Sequence, residues 1–137
     1  MTLLELLREV FSLTGAKEGC SEGICGSCTV LMDGKPIRAC LTLALEVAGC
    51  SITTVEGLAE GQDLDPLQQS FIDHGAVQCG FCTPGMLMSA KALLLEDRHL
   101  DEKKIAKALS GNICRCTGYA KIVEAVAAAA RNPGKKR

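Results

Sequence analysis

Apolar residues recur at helical spacing at both ends of the chain and gather into short runs between them. Near the start, Leu3, Leu4, Leu6, Leu7, Val10 and Phe11 fall on a helical repeat. Thr2 and Glu5, three apart, form a capping box. A helix is therefore predicted over residues 3–11, its apolar stripe turned into a core, with Gly15 closing the region. Thr29-Val30-Leu31-Met32 is a short apolar run that predicts a strand. Asp33-Gly34 is a favoured two-residue hairpin turn, and residues 35–39 return from it. Residues 51–55 form a third short run, whereas 41–47 fit neither period. Residues 56–65 are polar and contain glycine, the composition of a linker.

Beyond that point the pattern is helical. Asp65-Pro66 is an N-cap followed by a first-turn proline, predicting a helix to about His74. Thr83 and Pro84 repeat the signal for residues 84–96, with Met86, Leu87, Ala90, Leu93 and Leu94 on one face. Asp101 caps a third helix running through Ile105, Ala108 and Leu109 to Gly111. Gly118 opens a fourth, with Ile122, Val123, Val126 and Ala130 inward, stopped by Asn132-Pro133-Gly134. Four short helices with brief links predict a small bundle, so the fold class is α+β. His74 and His99 lie near helix ends and away from the cysteines, as solvated residues. The basic end, Lys135-Lys136-Arg137, reads as a solvated tail.

The 137 residues suffice for one ordinary domain or two small ones. A net charge of -1 gives no electrostatic case for nucleic acid, and 3% aromatics without Trp supply no stacking platform. No apolar run approaches a membrane span, so no membrane insertion is expected. The chain shows no basic segment followed by an apolar one at its start. Its nine cysteines then point to metal or redox chemistry in a reducing compartment, and to a cytoplasmic protein.

Eight of those cysteines fall into two sets. Cys20, Cys25 and Cys28 are spaced C-x4-C-x2-C, and Cys40 follows twelve residues later, the plant-type [2Fe–2S] spacing. Gly19, Gly23 and Gly26 let the backbone wrap closely and turn N–H groups toward sulfur. Cys79 and Cys82 precede a helix start, where the helix dipole favours thiolate, and Cys114 and Cys116 stand at a second glycine-flanked loop. Both pairs can meet at one end of the bundle, making a soft four-sulfur site. For this second set buried thiols, disulfides, a redox pair and zinc compete with iron and sulfide. A redox pair leaves Cys114 and Cys116 unexplained, and zinc ribbons use C-x-x-C twice. Cys50 stands outside both sets, as a half-buried structural thiol.

Five segments together resemble the small iron–sulfur subunit of the molybdenum hydroxylases, the xanthine dehydrogenase, aldehyde oxidase and carbon monoxide dehydrogenase family. They are Lys17-Glu18-Gly19-Cys20 through Cys28-Thr29-Val30-Leu31, Cys40-Leu41-Thr42-Leu43-Ala44, Thr54-Val55-Glu56-Gly57-Leu58, Ala76 through Met86, and Gly111-Asn112-Ile113-Cys114-Arg115-Cys116-Thr117-Gly118-Tyr119. The resemblance implies a plant-type ferredoxin-like β-grasp domain over residues 1–58, a linker over 59–65 and a four-helix [2Fe–2S]-binding domain over 66–137. It implies one [2Fe–2S] cluster on Cys20, Cys25, Cys28 and Cys40, and a second on Cys79, Cys82, Cys114 and Cys116. It further implies a pterin contact at Gln78, with Cys116 near the pterin. The partners would be a molybdopterin-binding large subunit and an FAD-binding medium subunit, with electrons relayed between them in either direction. Phe81, Met86 and Met88 are expected to form docking surface, with Phe81 equally suited to a core. No nucleophile–base pair or phosphate loop is evident, so no substrate-converting site is expected. The family's first hairpin is expected before Thr2 and is missing, as in a truncated reading frame or a chain whose sheet edge a partner covers. A zinc-binding interaction module and a free ferredoxin-like shuttle are the competing functions.

Overall fold

The computed structural model describes residues 1–134, so the basic tail lies outside the described residues. The Thr2 capping box forms: the Thr2 N–H donates to Glu5 Oε2 at 2.6 Å and the Glu5 N–H to Thr2 Oγ1 at 3.2 Å. Helix α1 (Leu3–Glu5) then widens into a π-helical stretch, Leu6–Val10. The wider turn changes the angular step between residues. Leu3, Leu4 and Leu7 stay buried, but Val10 and Phe11 end 57% and 59% exposed and do not join the core stripe expected of them.

Three antiparallel strands follow, β1 (Thr29–Met32), β2 (Lys35–Arg38) and β3 (Ile52–Thr53), in the order β2-β1-β3. Val30 opposes Ile37, and Leu31 opposes Pro36 on one side and Thr53 on the other. Strand β3 is shorter than the 51–55 expected because the Gly57 and Leu58 N–H groups bond back to Thr54 and Val55, curling the chain into a 3-10 turn, Val55–Gly57. The ambiguous segment 41–47 contains another such turn, Ala44–Val47.

The central strand is buried on both faces, which is why its sequence is a continuous apolar run. Val30 packs with Leu3, Leu4, Leu7, Ala39 and Val47. Leu31 points the other way, into a larger cluster built by the helices. Those helices are α2 (Pro66–Asp73), α3 (Thr83–Glu96), α4 (Glu102–Ala108) and α5 (Ala120–Arg131).

Helix α3 lies against β1 and β2 on one side and against α2 and α4 on the others. It therefore buries residues all round its surface, including Met86 and Met88 at 0% exposure. The two methionines are core, not docking surface; Phe81, 46% exposed, remains on the outside. The chain already turns at Gly80–Thr83 through a Thr83 N–H bond to Gly80 O, so Cys82, not Thr83, is the N-cap of α3. Gly118 and Tyr119 both hold positive φ, 66° and 73°, which delays α5 to Ala120. Helix α4 ends at Ala108, and hydrogen-bonded turns carry the chain through Ser110 and Asn112.

Asp65 caps α2 as its sequence indicates, accepting from the Leu67 N–H at 2.9 Å. Its other oxygen meets Lys91 Nζ at 2.6 Å, pinning the start of α2 to α3. His99 is exposed, whereas His74 is half-buried with Nδ1 2.9 Å from Ser70 O, so it is not the solvated residue expected. Among the described residues no helix is long and apolar enough to cross a membrane.

Candidate metal centre

The first cysteine loop lies between the π-helical stretch and β1, and Cys40 follows β2. Gly23 and Gly26 take positive φ, 76° and 78°, and so let successive N–H groups face inward. The Glu22, Ile24 and Cys25 N–H groups donate to Cys20 Sγ at 3.4, 3.3 and 3.4 Å. Ser27 N–H donates to Cys25 Sγ at 3.5 Å. These bonds, the Cys25 N–H foremost, lower the Cys20 pKa to about 7. Cys28 is buried, and burial above all pushes its thiol up to about 11, with the adjacent Cys40 thiol adding to it. The thiols thus stand in facing pairs, Cys20 with Cys25 and Cys28 with Cys40. A side chain at Gly19 has no room: a Cβ there would lie 2.8 Å from Cys25 Sγ.

The second set forms where the loop before α3 meets the loop before α5. Cys82 faces Cys114 and Cys79 faces Cys116, while Cys79 is also close enough to act on Cys82. Burial first, then the neighbouring Cys114 and Cys79, pushes the Cys82 thiol up to about 12. Burial also acts upward on Cys114, but the Thr117 hydroxyl and N–H, with help from Cys82 and Cys116, bring it down to about 7. Thr117 Oγ1 lies 3.1 Å from Cys114 Sγ and its N–H 3.4 Å. The Cys114 N–H in turn donates to Tyr119 Oη at 2.9 Å. Gln78, Cys79 and Cys116 are exposed. Cys50 is half-buried against the N-terminal core, apart from both sets.

Paired thiols bear on what these sites can hold. One tetrahedral zinc ion needs four sulfurs about 2.3 Å from a single point. Two facing pairs, with N–H donors aimed at the sulfurs, suit a larger anionic group bound through two metal positions. The thiolate-rich donor set, the N–H groups and the tight space at Gly19 all fit an iron–sulfur cluster.

Sequence reasoning missed the residues behind the cysteines. Asn112, in the second loop, bonds to Gly26 in the first; Arg38 bonds to Thr29 and to Gly111, and Ser89 holds Asn112 from α3. Only the Gly111-Asn112 turn signal touched this group, and turn chemistry does not reveal a partner 86 residues away.

A model of a [2Fe-2S] binding domain matches residues 54–127, and one of a 2Fe-2S iron-sulfur cluster binding domain matches residues 1–73. The nicotinate dehydrogenase small FeS subunit of Eubacterium barkeri is 54% identical over 124 residues, covering 90% of this chain and 79% of that protein. The xanthine dehydrogenase iron-sulfur-binding subunit of Escherichia coli O157:H7 is 50% identical over 126 residues, 90% of this chain and 79% of that one. Among solved structures, a chain of quinoline 2-oxidoreductase from Pseudomonas putida 86 superposes with a TM-score of 0.90 at 54% identity. That match covers 96% of this chain and 84% of the other.

Proposed function

The chain belongs to the iron–sulfur subunits of the molybdenum hydroxylase family, and from that premise we propose that it relays electrons through two [2Fe–2S] clusters. The relay joins a molybdopterin centre in a large subunit to FAD in a medium subunit. Each cluster, when bound, takes up and gives back one electron, and the partner subunits' cofactors carry the substrate chemistry.

Cys20, Cys25, Cys28 and Cys40 hold one cluster in a ferredoxin-like domain, residues 1–58. Residues 59–65 link it to the helical domain, 66–137, where Cys79, Cys82, Cys114 and Cys116 hold the other. Gln78 faces the pterin, with Cys116 beside it. Their exposure supports this assignment, because groups that meet a partner's cofactor must reach the surface. The complex works in the cytoplasm, where thiols remain reduced.

The observation that carries this reading is the pair of thiol sets, each supplied with N–H donors to sulfur. Such donors offset the negative charge of a thiolate-ligated cluster. The chain's own residues bind, orient and partly shield; none is assigned a bond-making step.

Iron and acid-labile sulfide analysis of anaerobically purified protein, then EPR after dithionite reduction, tests the proposal. About four iron and four sulfide per chain with two distinguishable signals is the expected result. Zinc with no EPR signal would replace the relay by a metal-stabilised interaction module. Co-purification with a molybdopterin subunit and a flavin subunit is also expected; a chain that stays alone on co-expression would refute the assembly.

A further inference from the structure

Between the two cysteine loops lies a buried polar knot that belongs to neither ligand set. Asn112 is at its centre, 3% exposed, two residues before Cys114. Its Nδ2 donates to Gly26 O, between Cys25 and Cys28, at 3.1 Å. Its Oδ1 accepts from the Ser89 hydroxyl at 2.7 Å; Ser89 lies on α3 and is 7% exposed. Arg38 closes the knot from the sheet. Its Nη1 donates to Thr29 Oγ1 at 2.8 Å and its Nη2 to Gly111 O at 2.8 Å. Thr29 Oγ1 donates in turn to Gly26 O at 2.6 Å. Beside these side chains, the Ile113 N–H donates to Cys25 O at 2.9 Å, joining the neighbour of one ligand directly to the backbone of another.

The spacing is as tight as the bonding. A Cβ on Gly26 would lie 2.5 Å from Gly111 O and 2.7 Å from Asn112 Nδ2, and one on Gly85 would collide with Gly26 O. The two loops and the start of α3 therefore meet backbone to backbone. Among the described residues no buried side-chain nitrogen or oxygen lacks a partner.

We infer that Asn112, oriented by Ser89, is a positioning residue that fixes the loop of Cys25 and Cys28 against the loop of Cys114, and so fixes the separation across which the two clusters exchange electrons. The inference rests on the two-cluster reading above. Asparagine suits the task because its short amide supplies a donor and an acceptor at once, one for each neighbour. Neither neighbour is a cluster ligand, so loss of the tie leaves the loops joined only by the Ile113 N–H bond to Cys25 O and the Arg38 bonds, which loosens their fit while all eight thiols remain. Tunnelling falls exponentially with distance, so a small shift in loop separation changes the exchange rate several-fold.

The test uses the iron-loaded protein with its co-purifying subunits. Asn112→Leu keeps the branched shape, with somewhat more bulk, and removes every amide bond; Ser89→Ala removes only the group that orients the amide. Iron content is measured first, then the magnetic coupling between the two reduced clusters by EPR relaxation, then the rate of electron equilibration between them. The expected result is wild-type iron, a changed coupling and a several-fold slower exchange in Asn112→Leu, with a smaller change of the same sign in Ser89→Ala. Coupling and rate equal to wild type in an iron-replete Asn112→Leu protein would overturn the inference. Should that variant fail to load iron, Ser89→Ala decides alone, and wild-type behaviour in it overturns the inference equally. Fewer than two clusters in the wild-type protein would remove the two-cluster reading itself, a failure visible in the unmutated chain and separate from any effect of Asn112.

Discussion

Gly19→Ala is the sharpest single test of how closely the first loop is fitted to its sulfurs. Gly19 does not hold a positive φ, so alanine meets no backbone penalty there. By restricting the unfolded chain it would even stabilise the protein by about 0.4–1 kcal/mol were space available. Space is what is missing. The new Cβ would sit 2.8 Å from Cys25 Sγ, roughly 1 Å inside a comfortable van der Waals separation. It would also lie 3.5 Å from both Ser27 Oγ and Phe81 Cε1, so it cannot simply swing aside. Cys25 Sγ is itself held by the Ser27 N–H. Overpacking of this kind costs about 1–3 kcal/mol, which exceeds the gain from the unfolded chain. The net cost falls on the geometry of Cys25, a ligand of the first cluster on the proposed reading. Iron should drop from about four toward about two per chain, with loss or distortion of one EPR signal and retention of the other. Gly57→Ala is the control: its Cβ would meet only Thr53 Cγ2, at 3.4 Å, so stability should hold or rise by up to about 1 kcal/mol with iron and both signals unchanged. Full iron and two unaltered signals in Gly19→Ala would refute the argument that the loop is closed against the sulfur.

Thr117→Val removes the hydroxyl bond to Cys114 Sγ and should make the potential of the second cluster more negative in an EPR-monitored redox titration, while Thr117→Ser should restore it; equal potentials in all three proteins would exclude the bond as a tuning element. Asp65→Ala removes the cap of α2, worth about 1 kcal/mol, and strands a Lys91 side chain that is only 23% exposed. Discounted for that exposure, the ion pair adds about 1–2 kcal/mol, so a total loss of roughly 2–3 kcal/mol is expected in the denaturation midpoint, partly recovered by adding Lys91→Met; an unchanged midpoint would contradict it. In iron-free protein at neutral pH, iodoacetamide should label Cys20 well ahead of Cys28, as mapped by mass spectrometry. The Cys20 thiolate is present above about 7 and lost as pH falls through that value, whereas Cys28 stays protonated up to about 11, so the preference should shrink in acid. Equal labelling of the two at every pH would be the contrary result.

Much of this architecture is written in local signals. Thr2 with Glu5, Asp33-Gly34, Asp65-Pro66 and Asp101 each act within four residues, and each forms the cap or turn its chemistry calls for. The errors share a cause. Val10 and Phe11 are helical in spacing, but a π-helical turn changes the angle between residues and no local rule announces it. In the sequence Met86 lies on the apolar face of its helix and Met88 off it, and both read as docking surface. They are buried because α3 packs against the sheet on one side and α2 and α4 on others, a property of the assembly and not of the helix. His74 lies near a helix end as read, yet its ring is held by a carbonyl one turn back.

The same distinction separates the proposed ligands from what holds them. Cysteine spacing is a local property, because the sulfurs of one loop must reach one group and the chain between them has fixed reach. How one loop lies against the other is not local. It depends on Gly26 and Gly85 lacking side chains, so that two backbones approach, and on Asn112, Ser89, Thr29 and Arg38 consuming the polar groups which that approach buries. An unpartnered buried amide or carbonyl would cost about 1–3 kcal/mol, so the close approach and the knot require each other. Strand β1 makes the arrangement stiff. Val30 is anchored in one apolar cluster and Leu31 in the other, and Thr29, at the start of the same strand, bonds to Gly26. Strand β1 thus fixes where the first loop ends relative to α3, and the Asn112 tie sets where Gly26 lies against the loop of Cys114. The proposed relay needs its two stations at a fixed separation, and on that reading the requirement falls on residues outside both cysteine sets.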